Sequence, residues 1–175
     1  MMQPQMEVAG RGSIELIVRD VMQRLQRNAW RGLLATSVLI GLVGLWALFV
    51  GIAEDPSVPL GLTGLTASQL ASESPNGYRF ADFGVRAGGL GLVVTGTSLA
   101  AIAGFAFRQH RLWAWWVMWV LPIWGISAFV LLLAVGVSPG QAPPTPMITG
   151  PIVAVVSAAL LLVSAPRFLG RHTAE

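Results

Sequence analysis

RQHRLWAWWVMW, residues 108–119, decides how the chain is arranged, because a short basic turn leads directly into an apolar segment rich in tryptophan. Arg108 and Arg111 have no acidic neighbour in this stretch. Four tryptophans follow: Trp113, Trp115, Trp116 and Trp119. Arginine and tryptophan together are typical of the cytoplasmic interface of a membrane. The stretch therefore predicts which way the chain is threaded, and it divides the chain into two hydrophobic halves.

The composition indicates a membrane protein. Of the 175 residues, 54% are hydrophobic and 11% are charged, whereas about a quarter of the residues in a soluble domain are charged. The length leaves room for about four spans of roughly 20 residues each and little else. Cysteine is absent from the sequence, which excludes disulfides and thiolate-bound metal or iron–sulfur centres.

We predict an all-α fold, a transmembrane bundle of four helices over residues 32–52, 87–107, 112–137 and 147–165. A span of about 20 residues rises about 30 Å, the thickness of the hydrocarbon core. None of the four segments contains an ionisable side chain, although such groups usually mark function inside a membrane. Pro122 is expected to kink the third span because it removes a backbone hydrogen bond.

The amino-terminal region is predicted to lie outside the lipid core. Residues 1–12 lack a hydrophobic period and are predicted to be a flexible tail. Residues 13–31 are predicted to form an amphipathic interfacial helix along the cytoplasmic headgroups, capped by Ser13 and ended by Trp30 and Arg31. Its apolar face consists of Ile14, Ile17, Val18, Val21, Met22, Leu25 and Ala29. A partner-binding helix is the alternative; a transit peptide is disfavoured because the segment contains acids.

The four-span membrane domain, residues 32–166, includes two outer loops. Residues 53–86 are predicted to fold as a cap on the outer surface, with a short helix that begins after Thr66 and ends before a turn at Pro75. Residues 138–146 contain four prolines and are predicted to be extended. A cytoplasmic tail, residues 167–175, closes the chain.

The arginines set the predicted topology. All eleven basic residues are arginine, and nine of them flank the predicted spans on one side. This asymmetry predicts a multi-pass protein of the cell (plasma or inner) membrane with both termini cytoplasmic. Its partner is the lipid bilayer, and nucleic acid is not an expected partner. The residues that set the topology are Arg24, Arg27, Arg31, Arg108, Arg111, Arg167 and Arg171.

Small residues spaced four apart predict close helix packing in the second and fourth spans. The positions are Gly96, Ala100, Gly104, Gly150, Ala154 and Ala158. These stripes favour a non-enzymatic accessory or self-associating subunit, either a homo-oligomer or a component of a membrane complex. The cellular process is not predicted.

The alternative function is binding or carriage of an apolar small molecule, a lipid or a quinone, along the third span. Trp113, Trp116 and Trp124 share one helical face and form the candidate groove. An interfacial aromatic belt explains the same residues without a ligand.

No catalytic constellation is visible in the sequence, and no cofactor or metal is expected. His110 and His172 flank spans beside arginines, which disfavour an added cation. A membrane enzyme would require the outer acids to converge with Arg79 or Arg86. These acids are Glu54, Asp55, Glu73 and Asp82.

Residues from Arg86 to Pro122 resemble small bacterial four-helix membrane proteins that are loosely described as DoxX-like. The likeness rests on Arg86, Gly89, Gly96, Ala106, Phe107, Arg108, Arg111, Trp113, Ala114, Trp115, Trp116, Trp119, Leu121 and Pro122. It implies a four-span bundle, and it implies no catalytic or binding residue.

Overall fold

The structure is a computed structural model that describes residues 5–54, 57–135 and 145–170. These residues are helical or lie in turns, and no strand occurs among them. Four of the described helices are long and apolar enough to cross a membrane. The all-α, four-helix prediction is therefore confirmed.

Nine helical elements follow one another in the described residues. They are α1 (Gln5–Val50), a 3₁₀ turn (Gly51–Glu54), α2 (Ser57–Thr63), α3 (Ala67–Glu73), α4 (Pro75–Ile102), a π-helical turn (Ala103–Phe107), α5 (Leu112–Met118), α6 (Val120–Ala134) and α7 (Thr145–Leu169).

Helix α1 is one continuous element of 46 residues. The helix therefore begins before the predicted start at Ser13 and does not break at Trp30, while the flexibility of the tail stays a prediction. Ala29, Leu33 and Ser37 lie four apart on a buried face, so the same packing surface continues across the expected break. At about 1.5 Å per residue the helix is about 69 Å long. This length exceeds the hydrocarbon core, which is about 30 Å thick.

The outer connection is more helical than the sequence indicates. Thr66 caps α3 in a capping box with Gln69, as predicted. The predicted turn at Pro75 is wrong, because Pro75 opens α4. The first turn of a helix tolerates proline, since its missing N–H would have no partner there. Helix α4 therefore begins well before the predicted span.

Prolines act differently in the last two spans. The third span is interrupted at Trp119, one turn before Pro122, because Pro122 has no N–H to donate back to Met118. The predicted kink is confirmed. Helix α7 continues through Pro166 to Leu169, four residues beyond the predicted end of the fourth span at Ala165. Most of the predicted loop 138–146, and the tail from residue 171, lie outside the described residues.

Helices α1 and α4 pack antiparallel through glycines. A Cβ atom placed on Gly96 would lie 2.5 Å from the Gly41 amide nitrogen and 2.7 Å from the Ser37 carbonyl oxygen. A Cβ on Gly89 would lie 2.7 Å from the Gly44 carbonyl oxygen. The two backbones are in direct contact, which only residues without a side chain permit.

Helices α6 and α7 form a second close pair. A Cβ on Gly150 would lie 2.6 Å from the Gly125 carbonyl oxygen, and a Cβ on Gly125 would lie 3.3 Å from the Ala154 side chain. Gly96, Gly150 and Ala154 are thus packing residues. No neighbouring heavy atom lies within 4 Å of a Cβ built at Gly104, so its packing role stays a prediction. The observed contact between α1 and α4 runs through Gly89 and Gly96.

Buried hydroxyls are satisfied inside their own helices, as expected for the spans. Ser37 donates to the Leu33 carbonyl at 2.8 Å, and Ser164 donates to the Leu161 carbonyl at 2.9 Å. These serines therefore need no polar partner in another helix.

The outer end of α1 is closed by an ion pair on α4. The Arg86 side chain donates to the Leu48 and Phe49 carbonyls, each at 2.9 Å, and to Asp82 at 2.8 Å. Asp82 also accepts from the Ile52 amide at 2.9 Å. The carbonyls at a helix end lack intrahelical partners, so this clamp supplies hydrogen bonds that the helix cannot make by itself.

We expect Gly96→Ala to lower the free energy of unfolding by about 1–3 kcal/mol, because its methyl group overlaps the α1 backbone. The matched change Gly104→Ala enters open space and should be neutral or stabilising by up to about 1 kcal/mol through helix propensity. Thermal unfolding in mild detergent checks both. Equal midpoints would contradict the α1–α4 contact.

We expect Arg86→Gln to destabilise the protein by about 1–2 kcal/mol, since it removes three charge-assisted hydrogen bonds from a side chain that is 41% exposed. Arg79→Gln, on an exposed side chain of the same helix, is the control and should change little. Chemical unfolding in detergent measures the difference. Equal stability of the two variants would rule out the clamp.

Candidate anion-binding pocket

A polar cavity lies at the arginine-rich end of the bundle. Its volume is about 370 Å³. Three elements meet there: α1, the segment after the π-helical turn, and the last turns of α7. The lining residues are Arg27, Asn28, Trp30, Arg31, Phe107, Arg108, His110, Arg167 and Phe168.

Helical spacing explains the contribution of α1. Arg27, Trp30 and Arg31 are three and four residues apart, so their side chains lie on one face of the helix. Because α1 continues unbroken past Trp30, this face is held rigidly against the bundle. Ala29 and Leu33 anchor the neighbouring face, with relative exposures of 1% and 0%.

The π-helical turn positions the second group of lining residues. The Arg111 amide donates to the Ala106 carbonyl at 3.1 Å, a wider loop than an α-helix makes. His110 then adopts a left-handed conformation with φ 57°. Such conformations are uncommon without glycine and are found mostly in tight turns. Arg108 and His110 thereby reach the cavity before α5 starts.

The floor of the pocket is aromatic. The rings of Phe107 and Phe168 lie 4.7 Å apart in a tilted arrangement, and the His110 ring lies 5.8 Å from Phe168. Phe107 and Phe168 are buried, with 3% and 4% exposure. Aromatic packing therefore ties α7 to the turn and separates the polar cavity from the core.

Four arginines line the cavity: Arg27, Arg31, Arg108 and Arg167. Arg31 and Arg108 both lie over the Trp30 ring, at 5.4 Å and 5.3 Å from its centroid. Cation–π contacts of this kind hold arginines in place without neutralising them. No Asp or Glu occurs among the described lining residues. The cavity therefore concentrates positive charge, and it suits an anion.

The pocket lies at headgroup depth if the helices cross the bilayer. From Trp30 to Val50 along α1, and from Arg86 to Phe107 along α4, the rise is about 30 Å at 1.5 Å per residue. This distance equals the thickness of a hydrocarbon core. The Asp82–Arg86 clamp and the pocket are thus separated along the helices by about one hydrocarbon thickness.

Only some of the arginines that are predicted to set the topology line the pocket. Arg24 is exposed and pairs with Asp20 at 2.9 Å. Arg111 is exposed and precedes α5 without lining the pocket. Arg171 lies outside the described residues.

Sequence reasoning missed the aromatic partners, above all Trp30 and the pair Phe107 and Phe168. In the sequence, the spacing of Arg27, Trp30 and Arg31 indicates that these three side chains share one helical face. The approach of α7 to the π-helical turn can be seen only in the folded structure.

The three tryptophans of the predicted groove differ in their exposure. Trp113 and Trp116 are 53% and 60% exposed and face outward. Trp124 is half-buried and packs against the core. These positions fit an interfacial belt for the first two, and the apolar-ligand groove stays a prediction.

The outer acids do not converge on a described site. Asp82 is committed to Arg86, and the described residues contain no group of three His, Cys, Asp or Glu side chains that could hold a metal. Asp55, the Glu54 side chain and His172 lie outside the description.

Two tryptophans of the third span differ in their hydrogen bonding. The buried Trp115 donates from Nε1 to the Leu161 carbonyl at 3.0 Å. Trp119 packs edge-on against Trp115 at 5.7 Å, and its Nε1 is buried without a hydrogen-bond partner in the described part of the chain. Only Trp115 therefore links the third span to α7 through a polar contact.

No protein-family model, curated protein or solved structure matches the chain. The resemblance to DoxX-like proteins stays a prediction, and the site must be interpreted from its own geometry.

We expect Trp115→Phe to destabilise the protein by about 1–2 kcal/mol, because it removes a buried hydrogen bond. Trp119→Phe removes an unsatisfied N–H instead, and it should be neutral or slightly stabilising. Thermal unfolding of the two variants in the same detergent tests this contrast. A larger loss for Trp119→Phe would contradict the assignment.

Proposed function

We propose that the chain is a multi-pass protein of the cell (plasma or inner) membrane that acts without catalysis and binds an anionic phospholipid through the phosphate of its headgroup. The basic pocket, defined by Arg27, Arg31, Arg108 and Arg167, is the binding site, and it lies on the cytoplasmic side together with both termini. The observation that carries the proposal is that four arginines line one cavity, among whose described lining residues no carboxylate occurs.

Depth supports a lipid as the ligand. The pocket lies about one hydrocarbon thickness from the outer clamp, at the level where phospholipid phosphates are found. Basic pockets between transmembrane helices on the cytoplasmic side bind anionic headgroups by the same chemistry. Arginine forks fit phosphate oxygens in a bidentate way that lysine does not match.

Self-association is supported less strongly. Gly96 and Gly150, which favoured it in the sequence, are occupied by contacts within the chain. An accessory role in a membrane complex remains compatible with lipid binding, since the lipid would then position the subunit.

Topology can be tested by cysteine labelling, because the chain has no cysteine of its own. Ser68→Cys on α3 should react with an impermeant maleimide in intact cells. Gln109→Cys, in the turn between the spans, should react only after permeabilisation. The same pattern for both variants, or the reverse pattern, would contradict the proposed orientation.

Lipid binding can be tested with purified protein and vesicles of phosphatidylcholine with phosphatidylglycerol. Arg31→Gln and Arg108→Gln should each weaken binding of the anionic lipid about tenfold, since a charge-assisted hydrogen bond contributes about 1.5–3 kcal/mol. Arg19→Gln removes one exposed charge of α1 outside the pocket and is the matched control. An equal loss of affinity in all three variants would show that binding depends only on total charge, and it would contradict the proposed site.

A further inference from the structure

We infer that the pocket selects a headgroup with two phosphate charges over a headgroup with a single phosphodiester. The preferred group is either a phosphomonoester or a pair of linked phosphodiesters. This inference rests on the proposed function and specifies the ligand class of the same site.

Charge balance is the first argument. Arg27, Arg31, Arg108 and Arg167 surround a cavity of about 370 Å³, and the described lining supplies no carboxylate. A monoanion would leave most of this charge uncompensated, and like charges at short range repel. A dianion compensates twice as much charge in the same volume. The site is therefore expected to bind a ligand with two negative charges more tightly than a ligand with one.

The geometry of the donors is the second argument. Arg31 and Arg108 come from different elements, yet both lie over the ring of Trp30. Arg167 reaches the cavity from α7. A single phosphodiester offers two non-bridging oxygens, whereas bidentate arginines each require a pair of acceptors. A phosphomonoester or two phosphodiesters supply the additional oxygens that four arginines can engage.

The contacts that position the donors are the third argument. Trp30 holds two of the guanidinium groups, and the packed rings of Phe107 and Phe168 fix the turn against α7. If the arginines moved together around one small anion, they would lose their contacts with Trp30. A headgroup that spans the cavity keeps the donors where they are.

The test compares anionic lipids at matched total surface charge. The unmodified protein is titrated with phosphatidylcholine vesicles that contain phosphatidylglycerol, phosphatidic acid or cardiolipin. We expect about five- to tenfold tighter binding of phosphatidic acid and cardiolipin, the effect of one additional charge-assisted contact. Arg167→Gln should reduce this preference, whereas Arg19→Gln should preserve it. The thermal unfolding midpoint of each variant confirms that it is folded.

The outcomes separate the two claims. Equal affinity for all three lipids, with the Arg31→Gln loss retained, would overturn the dianion preference and leave the proposed function intact. Affinity that is independent of the pocket arginines would overturn both. Inorganic pyrophosphate is the soluble probe, and binding of pyrophosphate that displaces no lipid would also overturn the inference. Displacement at millimolar pyrophosphate only would agree with a lipid ligand.

Discussion

The constraint on which the structure depends is that lipid offers no hydrogen bonds and solvates no charge, so each span must satisfy its own backbone and keep its ions at the ends. The four apolar helices meet this condition with serine hydroxyls bonded to the preceding turn. The carbonyls at the carboxyl-terminal end of α1 have no partner within the helix, and they accept hydrogen bonds from Arg86. Asp82 pairs with Arg86 and holds it near this end of the helix. Four other arginines, Arg27, Arg31, Arg108 and Arg167, line the cavity at the opposite end.

Glycine contacts hold the helices close together, and this packing brings the arginines to one pocket. The backbones of α1 and α4 touch at Gly41 and Gly96, and the backbones of α6 and α7 touch at Gly125 and Gly150. Close pairing leaves little lateral freedom, so the basic ends of the helices must also converge. The π-helical turn then directs Arg108 towards Trp30 on α1. Arginines that are predicted to set the topology are thus brought around one cavity, and the proposed lipid binding depends on this proximity.

Much of this fold could be predicted from the sequence, since hydrophobic run length determines the number of spans and Thr66 carries a local capping signal. The boundaries of the helices could not be predicted from the sequence. Trp30, Pro75 and Pro166 act as boundary signals by composition, yet tertiary packing carries the helix across Trp30 and Pro166, and Pro75 serves as a first residue. Glycine spacing gave two candidate stripes, but only the partner helix decides which glycines are used. The pocket escaped prediction for the same reason, because it consists of residues that are distant in the chain.

The most direct test of the account is the membrane depth of the pocket. A spin label on Asn28→Cys, which lines the cavity, can be measured in vesicles by its relative exposure to oxygen and to a water-soluble nickel complex. The account predicts a depth at the lipid phosphates, and a label on Leu39→Cys, on an exposed face of α1, should lie within the hydrocarbon. A position for Asn28→Cys in bulk water or near the bilayer centre would contradict the account.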